Sequence, residues 1–441
     1  MKKAALHNLG CKVNAYETEA MEELLKKDGF TIVGFDEQAD VYVINTCSVT
    51  NIADRKSRQM IHKCKKLNPD ACVVAAGCYV QNFGKDIADE LGADIILGNN
   101  KKNELVEKVH EYFQNLDNAD GPLLDCIDIN EGNVDYENMH IEKDSEHTRA
   151  FVKVQDGCNQ FCSYCIIPFA RGRIRSRSIE DVVEEVTGLA SNGYKEVVIT
   201  GIHLSSFGTG TQYTLADLLE AIQKINGIER IRLGSLEPQI VTEDFAMRVS
   251  ALSKMCPHFH LSLQSGCDTV LKRMNRKYTI EEYTRGVEVL RKYFANPAIT
   301  TDIIVGFPGE TIEEFDITDK YVKDIAFYEL HVFAYSKRAG TKAATMPGQI
   351  TNAVKKERSA KLISTGNEST ESYRRSFIGK ELDILFEEKT NIDGKEYFVG
   401  FSKEYIKCAI ECSGDKDYTN EIVLAKGVEL SSDKQYLIVE I

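Results

Sequence analysis

The chain has 441 residues, 43% of them apolar, a formal net charge of -14 and thirteen cysteines. That length supplies two or three cores, and the acidic balance excludes a general nucleic-acid binder, which needs lysine and arginine against phosphate. The basic start Met1-Lys2-Lys3 runs into His7 and Asn8 rather than a signal-peptide core, long apolar runs are missing, and the cysteines are too sparse for a secreted disulfide scaffold, so a cytoplasmic chain whose reduced thiols serve metal is expected.

Lys3 to Leu9 read as a strand, and Gly10-Cys11 follows at once. Asn14, with Glu17 three positions later, has the form of a capping box; Met21, Leu24 and Leu25 carry helical spacing, and Gly29 ends the helix. The pattern returns twice. Val41-Tyr42-Val43-Ile44 leads to Asn45-Thr46-Cys47 and a helix from about Ile52 to Leu67, and Val73 to Gly77 leads to Cys78 and a helical stretch near Asp86 to Leu91. Strands without polar alternation, interleaved with helices, predict a doubly wound parallel sheet buried on both faces. Ligands bind such sheets outside the carboxyl ends of the strands. Cys11, Cys47 and Cys78 are therefore expected to converge there, where helix N-termini favour thiolate or an anionic cluster. Three separately buried structural thiols would leave the same pattern. Residues from about Asn115 to Asp144 are acidic and poor in apolar positions, and read as a linker or an acidic excursion between domains.

Phe151-Val152-Lys153-Val154 opens the next domain and runs into Gly157-Cys158-Asn159-Gln160-Phe161-Cys162-Ser163-Tyr164-Cys165. Strand-like runs follow at Glu196–Thr200, Arg230–Gly234, His258–Leu263, Ala298–Val305 and His331–Tyr335. Between them the pairs Ser178 and Asp181, Thr214 and Asp217, Thr279 and Glu282, Thr311 and Glu314 mark helix starts. Six strands with helical crossovers predict a partial (β/α) barrel, whose chemistry sits in the loops after the strands; the cysteine loop follows the first. After Ser336 to Lys342 comes a helical pattern from about Thr351 to Tyr373. From Ile378 to Ile441 the alternation is that of strands, with Asn391-Ile392-Asp393-Gly394 as a hairpin turn. A small all-β barrel is expected, either an RNA-binding module or a structural cap.

Three thiolates in C-x3-C-x2-C spacing can hold three corners of a four-iron, four-sulfur cluster. One iron is then left open. It can chelate S-adenosylmethionine (SAM) through amino and carboxylate groups and pass an electron to its sulfonium. A structural zinc site, the competing reading, takes four protein ligands, commonly as two C-x2-C pairs, and one such pair is present. Basic charge gathers nearby: Arg171, Arg173, Arg175 and Arg177 follow the cysteine loop, and Lys272 to Lys277 follow the fourth strand. Arg55, Lys56, Arg58, Lys63, Lys65 and Lys66 lie on the helix after Cys47, and Lys355, Lys356, Arg358 and Lys361 on the late helix. Each run is either a solvated face or an anion-binding patch. The forks that begin at Arg171 match the carboxylate of SAM or a nucleic-acid phosphate.

Leu9-Gly10-Cys11-Lys12-Val13-Asn14, Asn45-Thr46-Cys47-Ser48-Val49-Thr50, Gly77-Cys78, and Cys158, Cys162 and Cys165 with Ile166-Ile167-Pro168 and Arg171-Gly172-Arg173 resemble the radical-SAM methylthiotransferases over almost the whole chain. The resemblance implies an α/β architecture in three parts: an N-terminal methylthiotransferase domain (residues 1–140), a partial (β/α)6 radical-SAM barrel (145–375) and a small all-β TRAM barrel (376–441). Gly10 to Asn14, followed by Glu17, looks like the MtaB branch, which acts on N6-threonylcarbamoyladenosine at position 37 of tRNA; other branches act on isopentenyladenosine or on a ribosomal protein. By the resemblance, Cys158, Cys162 and Cys165 hold the SAM cluster and Cys11, Cys47 and Cys78 an auxiliary one, both [4Fe–4S].

In that family one SAM methylates sulfur carried by the auxiliary cluster. Another is cleaved to the 5′-deoxyadenosyl radical, which takes the hydrogen from adenine C2 before the methylthio group is delivered. An unactivated C–H lies beyond acid–base or nucleophilic side chains, so cofactors carry the hard chemistry. The family pattern further implies SAM contacts from Tyr164 at the adenine, Gly201 at the amino group, Gln264 at the ribose and Gly306 in the adenine-side loop Ile304 to Glu310. It implies a tRNA anticodon loop as partner, an electron donor, a sulfur source and no membrane. The competing class is a metal-stabilised RNA-binding protein without turnover.

Overall fold

The computed structural model describes residues 2–115, 121–132, 134–141, 148–412 and 416–441. Its first layer follows from strands that lack polar alternation. β1 (Lys3–Asn8), β2 (Thr31–Ile32), β3 (Val41–Thr46), β4 (Cys72–Gly77), β5 (Ile95–Leu97) and β6 (Leu123–Asp125) form one parallel sheet in the order β2-β1-β3-β4-β5-β6. Helices α1 (Lys12–Lys27), α2 (Asn51–Leu67), α3 (Cys78–Leu91) and α4 (Leu105–Gln114) cover both faces. Alternate strand residues feed two cores: Val41, Val43 and Val74 pack with Met21 and Leu25 of α1 and Val109 of α4, while Tyr42, Ile44 and Val73 pack with Ile61 of α2 and Val80 of α3. This is the doubly wound sheet the sequence predicts, with its switch point between β1 and β3.

Two local expectations need correction. α1 begins at Lys12 with Cys11 as its N-cap, so Asn14 and Glu17 are no capping box; Asn14 Nδ2 donates to Leu9 O (2.8 Å) and Thr46 O (3.0 Å), and Glu17 is buried against the barrel. The expected linker is partly built into the fold, because Leu123 and Leu124 supply the apolar positions of β6, while Met139 and Ile141 are buried. Asn103 N donates to Glu137 Oε1 (2.9 Å). Residues 116–120, 133 and 142–147 of that stretch lie outside the described residues.

The barrel strands are β7 (Arg149–Asp156), β8 (Arg175–Ser176), β9 (Glu196–Gly201), β10 (Arg230–Leu233), β11 (His258–His260), β12 (Ala298–Val305) and β13 (Glu329–Ala334). β8 pairs antiparallel with β7; the others run parallel as β7-β9-β10 and β11-β12-β13, and the halves are joined by bridges Ile231–Met255 and Leu236–Leu261. Around them lie α5 (Ile167–Arg171), α6 (Ile179–Ser191), α7 (Leu215–Gln223), α8 (Glu243–Ser250), α9 (Asp268–Arg273), α10 (Ile280–Tyr293), α11 (Ile312–Ile325) and α12 (Asn352–Arg375). Ser178, Thr214, Thr279 and Thr311 cap α6, α7, α10 and α11, the last three as reciprocal boxes.

β14 (Glu381–Ile392), β15 (Lys395–Ser402), β16 (Lys407–Glu411), β17 (Ile422–Leu430) and β18 (Leu437–Glu440) close a small barrel, with Asp393 and Gly394 at positive φ in the expected hairpin turn. Buried arginines dock the three parts. Arg230 Nη1 donates to Phe401 O (2.9 Å) and Arg232 Nη1 to Lys403 O (3.0 Å), while Arg338, after β13, reaches Asp54 Oδ2 (2.5 Å) and Ser48 Oγ (2.8 Å) beside Cys47. Among the described residues no helix is long and apolar enough to cross a membrane.

Candidate active site between the first sheet and the barrel

Three neighbouring strands end in cysteine turns. β1 leads to Cys11 at the start of α1, β3 to Cys47, and β4 to Cys78, the first residue of α3. The register pairs Asn8 with Asn45 and Thr46 with Gly77, so the turns stand side by side as the sheet topology requires. A Cβ on Gly10 would sit 2.8 Å from Cys47 Sγ, on a backbone with φ +115°; glycine lets the first turn close on the second. Asn99 Nδ2 donates to Cys78 Sγ (3.5 Å), and Cys11 Sγ to Asn14 Oδ1 (3.8 Å).

The second triad sits on a loop folded back on itself. Cys158 N donates to Gly172 O (3.0 Å), and Cys165 N to Cys162 O (3.0 Å). Gly157 has φ +73°, and a Cβ there would lie 1.8 Å from Arg173 O. Gly157→Ala therefore cannot keep this return; the expected result is loss of about four irons per chain and a lowered Tm, read by iron assay and thermal melt.

Polar hydrogens point at these sulfurs. Gln160 N lies 3.5 Å from Cys158 Sγ, and Arg276 Nη1 donates to Cys162 Sγ (3.2 Å) while its Nη2 holds both Glu237 oxygens at 2.5 and 2.6 Å. Burial pushes the Cys47 and Cys165 thiols up to about 12 and Cys158 to about 11, so it is a metal that would ionise them at neutral pH. Soft thiols in threes, with N–H donors beside them, fit iron–sulfur clusters.

Cys11, Cys158, Cys162 and Cys165 line one cavity of about 710 Å³. Tyr164 and Gly201 also line it; Arg171, Gln264 and Gly306 do not. Gly306 instead packs on Lys355 and donates its N–H to Glu310 Oε2 (2.7 Å), which Arg358 also holds. Gln264, at φ +69°, bridges to Ile303 and donates N–H to Asp302 O (2.8 Å).

Arg171 is fully buried, and its fork meets Glu17 (Nη1–Oε1 2.5 Å, Nη2–Oε2 2.9 Å), Asp156 (3.2 Å) and Asn14 Oδ1 (2.7 Å). Glu17 also pairs with Lys102 and, at 2.7 Å, with Lys153. The guanidinium expected at a SAM carboxylate is thus committed to joining the two domains, and through Asn14 it braces Cys11. Several residues of the other expected anion patches are also paired with carboxylates. Arg177 pairs with Glu185, Arg273 with Glu314 and Lys361 with Asp316, while Arg173, Arg55 and Lys56 remain exposed.

The sequence reading passed over several cavity residues: His203, Glu237, His258, His260, Asp302, His331 and Tyr405. For four of them a signal existed, since His258, His260, Asp302 and His331 are polar breaks in barrel strands otherwise rich in apolar residues. Tyr405 comes from the C-terminal barrel and packs its ring against His258 (ring centroids 4.7 Å apart, tilted by 32°), which nothing local announces.

Comparison with known proteins agrees with this layout. Residues 152–322 match the Radical SAM superfamily, and residues 3–98 the Uncharacterized protein family UPF0004. The chain is 40% identical to the threonylcarbamoyladenosine tRNA methylthiotransferase MtaB of Bacillus subtilis (strain 168), across 97% of this chain and 94% of that one. It is 36% identical to the tRNA-2-methylthio-N(6)-dimethylallyladenosine synthase of Clostridium novyi (strain NT), across 88% and 86%. The fold resembles the radical S-adenosylmethionine methyltransferase TsrM from Kitasatospora setae, solved with cobalamin and a [4Fe–4S] cluster, with TM-score 0.57, 16% identity and coverage of 78% and 77%. With a sulfur-lined barrel mouth facing a cysteine-edged sheet, and 40% identity to such an enzyme over nearly its full length, the chain belongs to the radical-SAM methylthiotransferase family, in its MtaB branch.

Proposed function

We propose that this tRNA methylthiotransferase acts on C2 of N6-threonylcarbamoyladenosine in the anticodon loop and uses two [4Fe–4S] clusters. The observation that carries the reading is the shared cavity: Cys11 and the three loop cysteines face one space large enough for a nucleoside. Cys158, Cys162 and Cys165 would hold the SAM cluster, and Cys11, Cys47 and Cys78 the auxiliary one. When bound, the clusters supply the electron that splits SAM and a seat for sulfur, chemistry the side chains here do not offer.

The chain's own work is placement. Arg276, clamped by Glu237, orients the Cys162 side of the loop. Tyr164 and Gly201 shape the wall offered to SAM. Exposed Arg55, Lys56 and Arg173 give tRNA phosphates their cations. The reading puts the enzyme in the cytoplasm with an electron donor and a sulfur source.

Mass spectrometry of tRNA nucleosides from a deletion strain tests the substrate. The expected result is loss of 2-methylthio-N6-threonylcarbamoyladenosine with its parent nucleoside accumulating; loss of the isopentenyl counterpart instead would move the enzyme to the branch of the Clostridium novyi relative. Anaerobically purified protein should carry about eight irons per chain and little zinc, whereas zinc in their place would favour a metal-stabilised RNA binder. Cys11→Ala is expected to keep releasing 5′-deoxyadenosine while forming no methylthio product; an unimpaired methylthio yield would remove Cys11 from the mechanism.

A further inference from the structure

Lys12 follows Cys11, opens α1 and lines the cavity. Asp302 of β12 and Tyr405 of the C-terminal barrel line the same cavity, with Arg149 and Arg232 close enough to oppose the Lys12 charge. Two carboxylates of this region have a guanidinium partner, and Asp302 has a histidine beside it. Arg276 holds Glu237 at 2.5 Å, Asp302 stands 3.4 Å from His260 Nε2, and Arg374 reaches Glu329 at 3.1 Å. Among the described residues Lys12 makes no ion pair or hydrogen bond.

Four imidazoles line the cavity, from His203, His258, His260 and His331. His258 is 5% exposed, and its Nδ1 has no hydrogen-bond partner. Burial, with Arg232 and Lys12 close by, holds its pKa well below the ordinary value, so the ring is neutral. His331 stacks on His260 with centroids 5.6 Å apart. Lys12 therefore gives the cavity an exposed ammonium without a paired carboxylate, and His258 a buried ring nitrogen without a partner; an apolar substituent would cover the ammonium without replacing its water.

We propose that Lys12, with His258 and His331, forms a subsite for the carboxylate that ends the N6 substituent of the target adenosine, which makes Lys12 a specificity-determining residue. This rests on the substrate reading above and deepens it. A threonylcarbamoyl group carries one carboxylate, a hydroxyl and ureido N–H groups, which match the cation and the imidazoles. An isopentenyl group strands them, and a polar site rejects such an analogue more strongly than an apolar pocket rejects a hydroxyl.

The test uses full-length reconstituted enzyme and anticodon stem-loop RNAs that differ only at the target adenosine: threonylcarbamoyl, its carboxyl methyl ester, or isopentenyl. Wild-type enzyme should show a KM for the acid at least about tenfold below that for the ester, the size of a charge-assisted bond. Lys12→Gln should raise KM for the acid by a similar factor and leave the ester's KM within about twofold, and Lys12→Arg should restore most of the difference. Iron content and RNA-free release of 5′-deoxyadenosine report on Cys11 and the loop cysteines in each variant. If Lys12→Gln loses iron, the wild-type comparison of acid with ester decides alone. Equal handling of acid and ester by wild type, or an equal loss for every RNA in Lys12→Gln as a phosphate contact would produce, overturns the subsite. Methylthiolation of the isopentenyl RNA with none of the threonylcarbamoyl RNA overturns the substrate reading itself, a distinct outcome of the same assay.

Discussion

Replacing Cys158 with alanine is expected to abolish 5′-deoxyadenosine release and to lower bound iron from about eight to about four atoms per chain. On the proposed assignment three protein thiols serve that site, so removing one leaves two, and nearby sulfurs offer no substitute. Cys256 and Cys267 are buried on other elements, and Cys267 Sγ is already 3.2 Å from Thr269 Oγ1. The iron that remains should sit with Cys11, Cys47 and Cys78, which the substitution does not touch. Anaerobic iron assay and chromatography of the SAM products make the measurement. Continued release of 5′-deoxyadenosine would remove Cys158 from SAM cleavage, whereas Cys11→Ala gives the opposite pattern if the two triads divide the work as proposed.

Arg171→Ala is expected to cost about 3–5 kcal/mol of stability, the penalty for leaving buried carboxylates without their partner. Arg171, Glu17, Lys102, Lys153 and Asp156 are all at most 4% exposed, so water cannot replace the lost fork. Urea unfolding measures the change. Because Asn14 loses its donor as well, iron at the first triad should fall while SAM binding at the loop persists. Unchanged stability with lost SAM binding would return Arg171 to the cofactor.

The same network sets an acid limit. Desolvation raises the Glu17 carboxyl, but Arg171, Lys102 and Lys153 outweigh it and hold the group well below its ordinary 4.5. A depressed carboxylate stabilises the fold at neutral pH, and that contribution disappears as pH falls below 4.5 and through the lowered value. Glu17→Gln should therefore flatten the acid limb of the stability profile while lowering its neutral plateau.

Much of this was legible along the chain because the signals are short-range. Ser178, Thr214, Thr279 and Thr311 meet their partners three residues away, and the loop cysteines lie within eight positions, so the four helix starts and one thiol triad needed no tertiary information. Cys11, Cys47 and Cys78 were placed by a rule about parallel sheets, since strand ends share an edge whatever the loops do. Asn14 and Glu17 show where such signals fail. Their spacing is that of a cap, yet their partners are Thr46, Lys102, Lys153 and Arg171, far off in the chain.

Alone, then, the order of residues determined that strands end at thiols, that the second domain is a barrel opened by a cysteine loop, and that a small β barrel follows. Folding decided what each side chain meets: Arg171 became a buried joint, Arg276 a neighbour of sulfur, and Tyr405 part of a cavity whose other walls come from two other domains. The reason is that a charged side chain takes its role from the group brought against it in the dry interior, and here those groups come from distant segments.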